Sequence, residues 1–296
     1  MKQLRRSMLY VPGNNPGMIR DAHIYGSDCL MFDLEDSVSL NEKDTARFLV
    51  YHALKTLSFR GKEVVVRING LDTGFGMDDL EAMVRAQPHV IRLPKTESAQ
   101  DVIYCEREIE RIEAAAGIPV GRTKMMAAIE SAAGVLNARE IAHSSKRLIG
   151  IALGAEDFVT DMGTSRSAES IELLMARSMI LMAARSARID AIDTVYSDIN
   201  NQEGFIAEVK LIKQLGFDGK SVINPNQIKP LHQVFTPTEK EISKSLAIIE
   251  AMEEARRKGS GVINLNGRMI DKPVVERAEH LLELAVAAKV LRSAMP

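Results

Sequence analysis

The sequence predicts an α/β protein built on a closed (β/α)₈ barrel, the TIM barrel, with a helix–hairpin–helix extension at its C-terminal end. Short apolar runs recur along the chain, and an amphipathic helical pattern follows them. Strands that alternate with helices indicate βαβ units and a parallel sheet. About eight such units in roughly 250 residues are typical of a closed barrel, and a chain of 296 residues leaves room for an extension.

The predicted strands are nearly continuous in apolar residues, as parallel strands covered on both faces are. Each run ends in polar residues that lead into the next segment. The eight runs are Ser7–Gly13, Cys29–Asp36, Glu63–Asn69, His89–Lys95, Thr123–Glu130, Leu148–Asp157, Asp190–Asp198 and Gly219–Pro225.

Helical patterns occupy the segments between these runs. Ser98 and Asp101 have the spacing of a capping box at a helix start, and apolar residues follow at roughly helical spacing, at Val102, Ile109 and Ile112. A later helix is predicted to run to about Ala187, and its first apolar residues are Ile171, Leu174 and Met175.

A doubly wound open sheet is the structural alternative to the barrel. That fold would place a Gly-x-Gly-x-x-Gly phosphate turn after the first strand. The turn here, Pro12–Gly17, reads Pro-Gly-Asn-Asn-Pro-Gly and lacks that pattern. The barrel is therefore favoured.

The chain continues beyond the eighth run with an extension. Thr236–Pro237 marks a helix start, Gly259 its end, and the apolar face is Ile242, Leu246, Ile249 and Met252. Val262–Ile270 predicts a hairpin with Asn266–Gly267 as its turn, and a last helix follows Pro273. We expect residues 1–235 to form the barrel and residues 236–296 an extension that packs on the barrel or on a neighbouring subunit.

Composition excludes several classes of protein. The formal net charge of −2 and the absence of Trp give no reason to expect nucleic acid or an anionic membrane as a partner. Cys29 and Cys105 form no Cys-x-x-Cys pattern, which argues against a disulfide framework or a zinc ribbon and favours a reducing compartment. With no apolar run near the roughly 20 residues of a membrane span, we expect a cytoplasmic protein.

Polar residues collect at the ends of the predicted strands. In a (β/α)₈ barrel the active site lies at the C-terminal ends of the strands, so residues from distant parts of the sequence would converge there. Polar strand ends also occur in barrels without a site, because strands must meet loops. The candidates are Asp33, Glu35, Asp36, Arg67, Asn69, Pro94, Lys95, Glu130, Glu156, Asp157, Ser197, Asp198 and Asn224.

Glu130 and Asp157 end consecutive predicted strands, which would lie about 4.8 Å apart. Two carboxylates that close repel unless one is protonated or a cation lies between them. Oxygen ligands without a thiolate or imidazole suit Mg²⁺. The alternative is that both residues cap helices, which is weak for Glu130 because Glu is a poor N-cap.

Three basic residues can be interpreted in more than one way. Arg67 lies inside an apolar strand, where it would bind a substrate carboxylate in a bidentate manner or pair with Asp33 or Glu35. Lys95 at the end of the fourth run, or Lys220 at the start of the eighth, could form a Schiff base. For Lys95, pairing with a carboxylate is an equal alternative.

Seven segments, in order and over nearly the whole chain, resemble the family of citrate lyase beta chains and malyl-thioester lyases. Among them are Met-Phe-Asp-Leu-Glu-Asp-Ser-Val at 31–38 and Ile-Ala-Leu-Gly-Ala-Glu-Asp at 151–157. The others are Arg5–Gly13, Val66–Asn69, Ile91–Glu97, Ala128–Ser131 and Lys220–Pro225.

The resemblance implies a barrel, usually trimeric, that cleaves a citryl thioester to oxaloacetate and the acetyl thioester with Mg²⁺. It implies an acyl carrier (gamma) subunit and a transferase (alpha) subunit as partners, and coenzyme A as an alternative carrier. The metal ligands fall on Glu130 and Asp157, and the arginine that binds the substrate carboxylate falls on Arg67. The predicted substrate-binding residues are Arg67, Asn69, Asp33, Lys95, Gly154 and Ala155.

The reaction also requires two proton transfers, one from the hydroxyl group and one to the enolate carbon, and each has more than one candidate interpretation. The resemblance suggests Asp271, after the predicted hairpin, as the residue that protonates the enolate carbon in a neighbouring subunit, so that a monomer would be inactive. Asp271 ahead of Pro273 is equally a plausible helix N-cap. Glu35 and Asp36 are candidates for the base that removes the hydroxyl proton.

Alternation along a strand would place Glu156 and Asp157 on opposite faces, without deciding which faces inward. The resemblance selects Asp157 as the metal ligand and leaves Glu156 as a supporting or loop-anchoring residue. Alternative functions are a malyl- or methylmalyl-coenzyme A lyase, a Schiff-base aldolase that uses Lys95, and a non-catalytic assembly subunit that binds oxaloacetate or a carrier protein.

Overall fold

The computed structural model describes residues 3–257, 263–265 and 268–291. Its centre is a closed barrel of eight parallel strands in the order β1 to β8, in which β8 pairs with β1. The predicted fold class is confirmed. The strands are β1 Ser7–Pro12, β2 Cys29–Asp33, β3 Glu63–Arg67, β4 Val90–Leu93, β5 Lys124–Ile129, β6 Leu148–Leu153, β7 Asp190–Asp193 and β8 Gly219–Val222.

Helices follow each strand of the barrel. They are α1 Pro16–Asp21, α2 Lys43–Thr56, α3 Gly76–Ala86, α4 Ala99–Ala115, α5 Ala132–Leu136, α6 Ala138–His143, α7 Ala155–Asp161, α8 Leu174–Ala187, α9 Gln202–Leu215 and α10 Ile228–Phe235. Short 3₁₀ helices lie at Ala22–Tyr25, Leu40–Glu42, Ile171–Leu173 and Pro225–Gln227. Among the described residues no helix is both long and apolar enough to cross a membrane.

Each predicted strand is found, but each extends too far at its C-terminal end. The largest errors are the runs predicted to end at Asp198 and at Asp157. β7 ends at Asp193, and β6 ends at Leu153, after which α7 begins at Ala155. Loops after the strands keep some ladder-like bonds, such as the Leu34 N–H that donates to the Arg67 carbonyl at 2.9 Å. Apolar composition does not mark where the ladder ends, so the polar residues predicted to end strands lie in or just before the loops.

Alternate residues of the strands face the barrel axis. Met8, Met31, Met126, Val65 and Ile192 belong to one buried cluster from five different strands, so the barrel interior is a packed core. At the N-terminal end of the strands, charged residues neutralise one another in a cluster of ion pairs. Arg5 pairs with Glu63 at 2.6 Å and with Asp190 at 2.5 Å.

The capping box at the start of α4 is present, with Ser98 and Asp101 as its members. The helix predicted to run to about Ala187 is found as α8, which ends at that residue. The apolar residues at its start, Ile171, Leu174 and Met175, are exposed, and the buried residues of the helix are Ala176, Arg177, Ile180, Ala183 and Ala184. The run of apolar residues in this segment is longer than one helix face, so composition alone does not identify the buried side.

The residues from Arg5 to Leu231 form one compact unit, and the described residues from His232 onward belong to a second. The second unit contains α11 Glu239–Arg257, an antiparallel hairpin of β9 Ile263–Leu265 and β10 Arg268–Ile270, and α12 Lys272–Ala287. It has its own apolar core, in Ile248, Met252, Ile270, Val275 and Ala278.

The predicted hairpin is therefore found, whereas its turn Asn266–Gly267 and the predicted helix end Gly259 lie outside the described residues. The division of the chain into residues 1–235 and 236–296, and the surface on which the extension packs, stay predictions.

Candidate active site

A cavity of about 430 Å³ lies at the C-terminal ends of the barrel strands. Most of the predicted site residues meet there. Those that line the cavity are Asp33, Asp36, Arg67, Glu130, Gly154, Ala155, Glu156 and Asp157. Glu35 and Lys95 lie next to these residues, through ion pairs with Arg67 and Asp157 respectively.

Arg67, the last residue of β3, is buried and surrounded by carboxylates. Its Nε and Nη2 donate to the two oxygens of Asp33 at 2.7 and 2.8 Å, and its Nη1 donates to Asp36 at 3.1 Å. Glu35 Oε2 lies 2.7 Å from Nη1. The predicted ion pair with Asp33 and Glu35 is thus present, and a substrate carboxylate would have to share or replace some of these contacts.

Glu35 has the protonation behaviour of a base that works near neutral pH. Burial, together with repulsion from Glu130 and Asp36, raises the pKa of Glu35 to about 7 against the opposing charge of Arg67. Although Oε2 is close to Arg67, it has no aligned hydrogen-bond donor among the described residues. A carboxyl group in this state exchanges a proton readily at physiological pH.

Glu130 follows β5 directly, and Asp157 lies in the first turn of α7. Asp157 is therefore not a strand-end residue, and the expectation that Glu156 and Asp157 alternate along a strand is wrong. The capping alternative is also wrong for both carboxylates, since the N-caps of α5 and α7 are Ser131 and Gly154.

Glu130 is held as a buried acid with one unused oxygen. Burial raises its pKa, with a further contribution from the charge of Asp157. Its Oε2 has no hydrogen-bond partner among the described residues. A buried carboxylate oxygen without a donor is costly, and a cation between Glu130 and Asp157 would remove that cost.

The donor set fits a hard divalent cation. Glu130 and Asp157 supply only oxygen atoms, and among the described residues no three His, Cys, Asp or Glu side chains converge as a complete metal cage. Mg²⁺ commonly binds through one or two carboxylates and takes its other ligands from water and substrate. The open cavity beside the two carboxylates has room for those ligands.

Gly154 allows the Glu130 side chain to lie against the backbone. A Cβ at this position would lie 2.6 Å from Glu130 Cγ and 2.7 Å from its Oε1. We expect Gly154→Ala to displace this carboxylate, to raise the Mg²⁺ concentration for half-maximal activity about tenfold or more, and to leave the fold intact. Metal titration of activity checks this, with Gly74→Ala as control, because a Cβ at Gly74 meets no atom within 4 Å. An unchanged titration would show that Glu130 tolerates the displacement.

Lys95 follows β4 with a left-handed backbone, φ 44°. It contacts Glu35 at 3.3 Å and Asp157 at 3.6 Å. Partial burial lowers the pKa of Lys95, but these carboxylates outweigh that effect and the pKa is raised. A Schiff base requires a neutral amine, so the surroundings of Lys95 oppose the aldolase alternative.

Lys220 points away from the cavity. It is buried between Asp193 and Glu208, at 2.8 and 2.5 Å, on the side of the strand that faces α9. It belongs to a structural ion-pair cluster and not to the candidate site.

Asn69 is not among the residues that line the cavity. Its side-chain amide donates to the Leu34 carbonyl at 2.9 Å and to Asp79 at 2.6 Å, which ties two loops together near the strand ends. Asp271, in the second unit, is the N-cap of α12, and its carboxylate accepts a bond from the Val274 N–H at 3.3 Å. The capping interpretation of Asp271 is thus observed.

Four hydroxyl side chains of the cavity wall were not predicted. One is Ser37, in the loop after β2, and the other three are Tyr10 of β1, Thr194 directly after β7 and Ser221 of β8. Strand alternation could have found the last three, because each lies two residues from, or in register with, the core residues Met8 and Ile192.

The sequence model of the HpcH/HpaI aldolase/citrate lyase family matches residues 6–225. A protein of Leuconostoc mesenteroides subsp. cremoris, citrate lyase subunit beta, is 56% identical over 99% of this chain and 97% of its own length. A crystal structure of CitE from Mycobacterium tuberculosis with magnesium, acetoacetate and coenzyme A is 29% identical, has a TM-score of 0.79, and is matched over 96% of this chain and 99% of that one. The citrate lyase beta subunit of the same organism with oxaloacetate and magnesium is 31% identical, with a TM-score of 0.67, over 79% and 98%. On this match the chain belongs to the HpcH/HpaI aldolase/citrate lyase family.

Proposed function

We propose that this chain is a Mg²⁺-dependent carbon–carbon lyase that cleaves a citryl thioester into oxaloacetate and the acetyl thioester. The observation that carries the proposal is the pairing of Glu130, with its unused buried oxygen, and Asp157 beside Arg67 in one cavity. The relatives support the substrate, since one is named citrate lyase subunit beta and another was crystallised with oxaloacetate and magnesium.

Glu130 and Asp157 would hold the cation. When bound, Mg²⁺ supplies Lewis-acid stabilisation of the negative charge that develops on substrate oxygen, worth several kcal/mol in the transition state. The chain supplies the rest of the site. Arg67 orients a substrate carboxylate, and the proposed substrate site also contains Asp33, Lys95, Gly154 and Ala155. Asn69 belongs to it indirectly, since its amide holds the Leu34 carbonyl in the loop that carries Glu35.

The first proton transfer is assigned to Glu35. A carboxyl group with a pKa of about 7 is matched to removing the hydroxyl proton near neutral pH. As the proton leaves, the bond between the hydroxyl carbon and the thioester-bearing methylene breaks. The hydroxyl carbon becomes the ketone of oxaloacetate, and the bonding electrons form the enolate of the acetyl thioester.

The second proton transfer is assigned to Asp271. Protonation of the enolate carbon yields the acetyl thioester, and Asp271 would donate that proton from a neighbouring copy of the chain. In this proposal the N-cap bond to the Val274 N–H fixes the orientation of the carboxyl group. The assembly would be a homotrimer.

The relatives are named as subunits, which implies that they act in a multi-subunit citrate lyase. We infer that this chain works with an acyl carrier subunit, which presents the citryl thioester, and with a transferase subunit, which loads it. A cytoplasmic location is consistent with the two cysteines, which are both buried and are not joined in a disulfide.

Metal removal tests the proposal. We expect the purified chain to cleave citryl-coenzyme A or a citryl carrier protein, to lose that activity in EDTA, and to regain it when excess Mg²⁺ is added. Borohydride treatment in the presence of substrate should trap nothing. Activity that survives complete metal removal and is trapped by borohydride would instead favour a lysine Schiff base.

A further inference from the structure

The cavity wall formed by β7, β8 and β1 carries hydroxyl groups and no charged side chain from those strands. These three strands are consecutive in the closed barrel. β8 and β1 each present one hydroxyl side chain to the cavity, Ser221 and Tyr10, and Thr194 does so directly after the end of β7. We call this set the hydroxyl arc. The carboxylates and Arg67 come from β2, β3 and the segments that follow β2, β5 and β6, so the arc forms a separate part of the wall.

We propose that the hydroxyl arc binds the second free carboxylate of the substrate and thereby selects a citryl over a malyl thioester. A citryl thioester keeps two free carboxylates, one on the hydroxyl carbon and one on a carboxymethyl branch, whereas a malyl thioester lacks that branch. The inference rests on the proposed lyase function, because it assigns the part of the substrate that distinguishes the two.

The hydrogen-bonding state of the arc points to a ligand with acceptor oxygens. Ser221 is buried, and its Oγ has no hydrogen-bond partner among the described residues. Thr194 Oγ1 accepts the Ala155 N–H at 3.0 Å, which leaves its own proton to be donated. Buried hydroxyls without partners are costly, and a carboxylate, with two acceptor oxygens, would satisfy these donors.

Tyr10 is held in place by two cations. The guanidinium carbon of Arg67 lies 5.1 Å from the centre of the Tyr10 ring, and that of Arg92 lies 5.8 Å from it. Contacts of this kind attract a cation to the ring face. Burial raises the pKa of Tyr10, so its phenol keeps the proton that it would donate.

Arg92 adds a fixed charge below the arc. It is fully buried in the barrel, its Nη1 donates to the sulfur atoms of Met8 and Met31 at 3.7 Å, and its Nε has no partner among the described residues. Its charge also acts on Glu130, where it lowers the pKa against the effect of burial. A buried cation without a carboxylate partner is rare. Its field favours an anion above it, in the part of the cavity that Tyr10 lines.

Arg67 by itself has too few unoccupied N–H groups to bind both carboxylates of the substrate. Three of its nitrogens already contact Asp33, Asp36 and Glu35. A second anionic group therefore requires other donors, and the arc supplies them without adding charge.

Oxaloacetate and pyruvate provide a matched pair of probes, since pyruvate lacks only the second carboxylate. We would measure dissociation constants of both with Mg²⁺ by calorimetry, for the wild type, Ser221→Ala and Tyr10→Phe. Each variant is expected to weaken oxaloacetate binding about tenfold, the usual loss for a hydrogen bond to a charged group. Pyruvate binding should stay within about twofold. Tyr10→Phe keeps the ring between the two arginines.

Ser27→Ala is the matched control, because Ser27 is also a buried serine whose hydroxyl has no partner among the described residues, and it does not line the cavity. Ser27→Ala should leave the dissociation constants of both oxaloacetate and pyruvate unchanged. If Ser221→Ala weakened the binding of oxaloacetate and pyruvate equally, or weakened the binding of neither, the proposed carboxylate subsite would be wrong. Cleavage of citryl-coenzyme A by the wild type is measured separately, so a failure of the lyase proposal is distinguishable from a failure of the arc.

Discussion

Replacing Glu130 with glutamine is expected to lower kcat/KM for citryl-thioester cleavage by about 10³-fold, as loss of several kcal/mol of transition-state stabilisation requires. The substitution preserves size but removes the charge that a divalent cation needs from a carboxylate ligand. Saturating Mg²⁺ should restore only a small part of the activity. Steady-state kinetics over a range of Mg²⁺ concentrations make the measurement.

The fold should tolerate this change. Burial raises the pKa of Glu130, so the folded chain without a cation already carries its charge at a cost. A neutral amide relieves that cost, and we expect the melting temperature to stay within about 3 °C of the wild type. A large fall in the melting temperature would mean that Glu130 is a structural residue and that the kinetic loss says nothing about the cation.

Glu156→Gln is the control for the same experiment. Glu156 also lines the cavity and adjoins Asp157, but its carboxylate is half-exposed and pairs with Arg166 at 3.2 Å. It should keep nearly full activity and an unchanged Mg²⁺ titration. If Glu156→Gln lost as much activity as Glu130→Gln, the assignment of the cation to Glu130 and Asp157 would have to be abandoned.

The barrel could be predicted because a parallel strand that is buried on both faces consists of a nearly continuous run of apolar residues. Its strand ends were not, as Asp157 demonstrates. The run from Leu148 continues through the small residues Gly154 and Ala155, yet the backbone turns into α7 there. Gly154 lies against the Glu130 side chain, and the Ala155 N–H donates to the Thr194 hydroxyl and not to a strand carbonyl. Those are contacts between neighbouring strands, and no local pattern contains them.

The charged half of the site was likewise easier to predict than the neutral half. An Arg or Glu beside an apolar run stands out because burying its charge is expensive, and this drew attention to Arg67 and Glu130. Ser221 and Thr194 are ordinary in a strand, so their meaning appears only when the closed barrel places them beside Tyr10 around one cavity. The protonation state of Glu35 also depends on packing, since burial is its main cause.

Arg67→Lys is expected to lower kcat/KM about 10²-fold or more, because misplacing a substrate by about 1 Å has that effect. Lysine keeps the charge but cannot reproduce the planar fork that contacts Asp33 and the substrate together. The two bonds to Asp33 at 2.7 and 2.8 Å would be replaced by at most one. Stability should also fall, because Asp33 is buried and would lose part of its pairing.

Arg177→Lys separates the two effects. Arg177 is a fully buried arginine that bonds to Asp193 at 2.8 and 3.1 Å and pairs with Glu208 at 3.0 Å, and it is not among the residues that line the cavity. Both variants should therefore lose comparable free energy of unfolding, roughly 1–3 kcal/mol in urea titrations. Only Arg67→Lys should lose activity, because only its guanidinium lies where the substrate binds. If Arg177→Lys lost a similar amount of activity, the kinetic losses of both variants would be explained by reduced stability. If Arg67→Lys kept a normal kcat/KM, Arg67 would not belong to the substrate site.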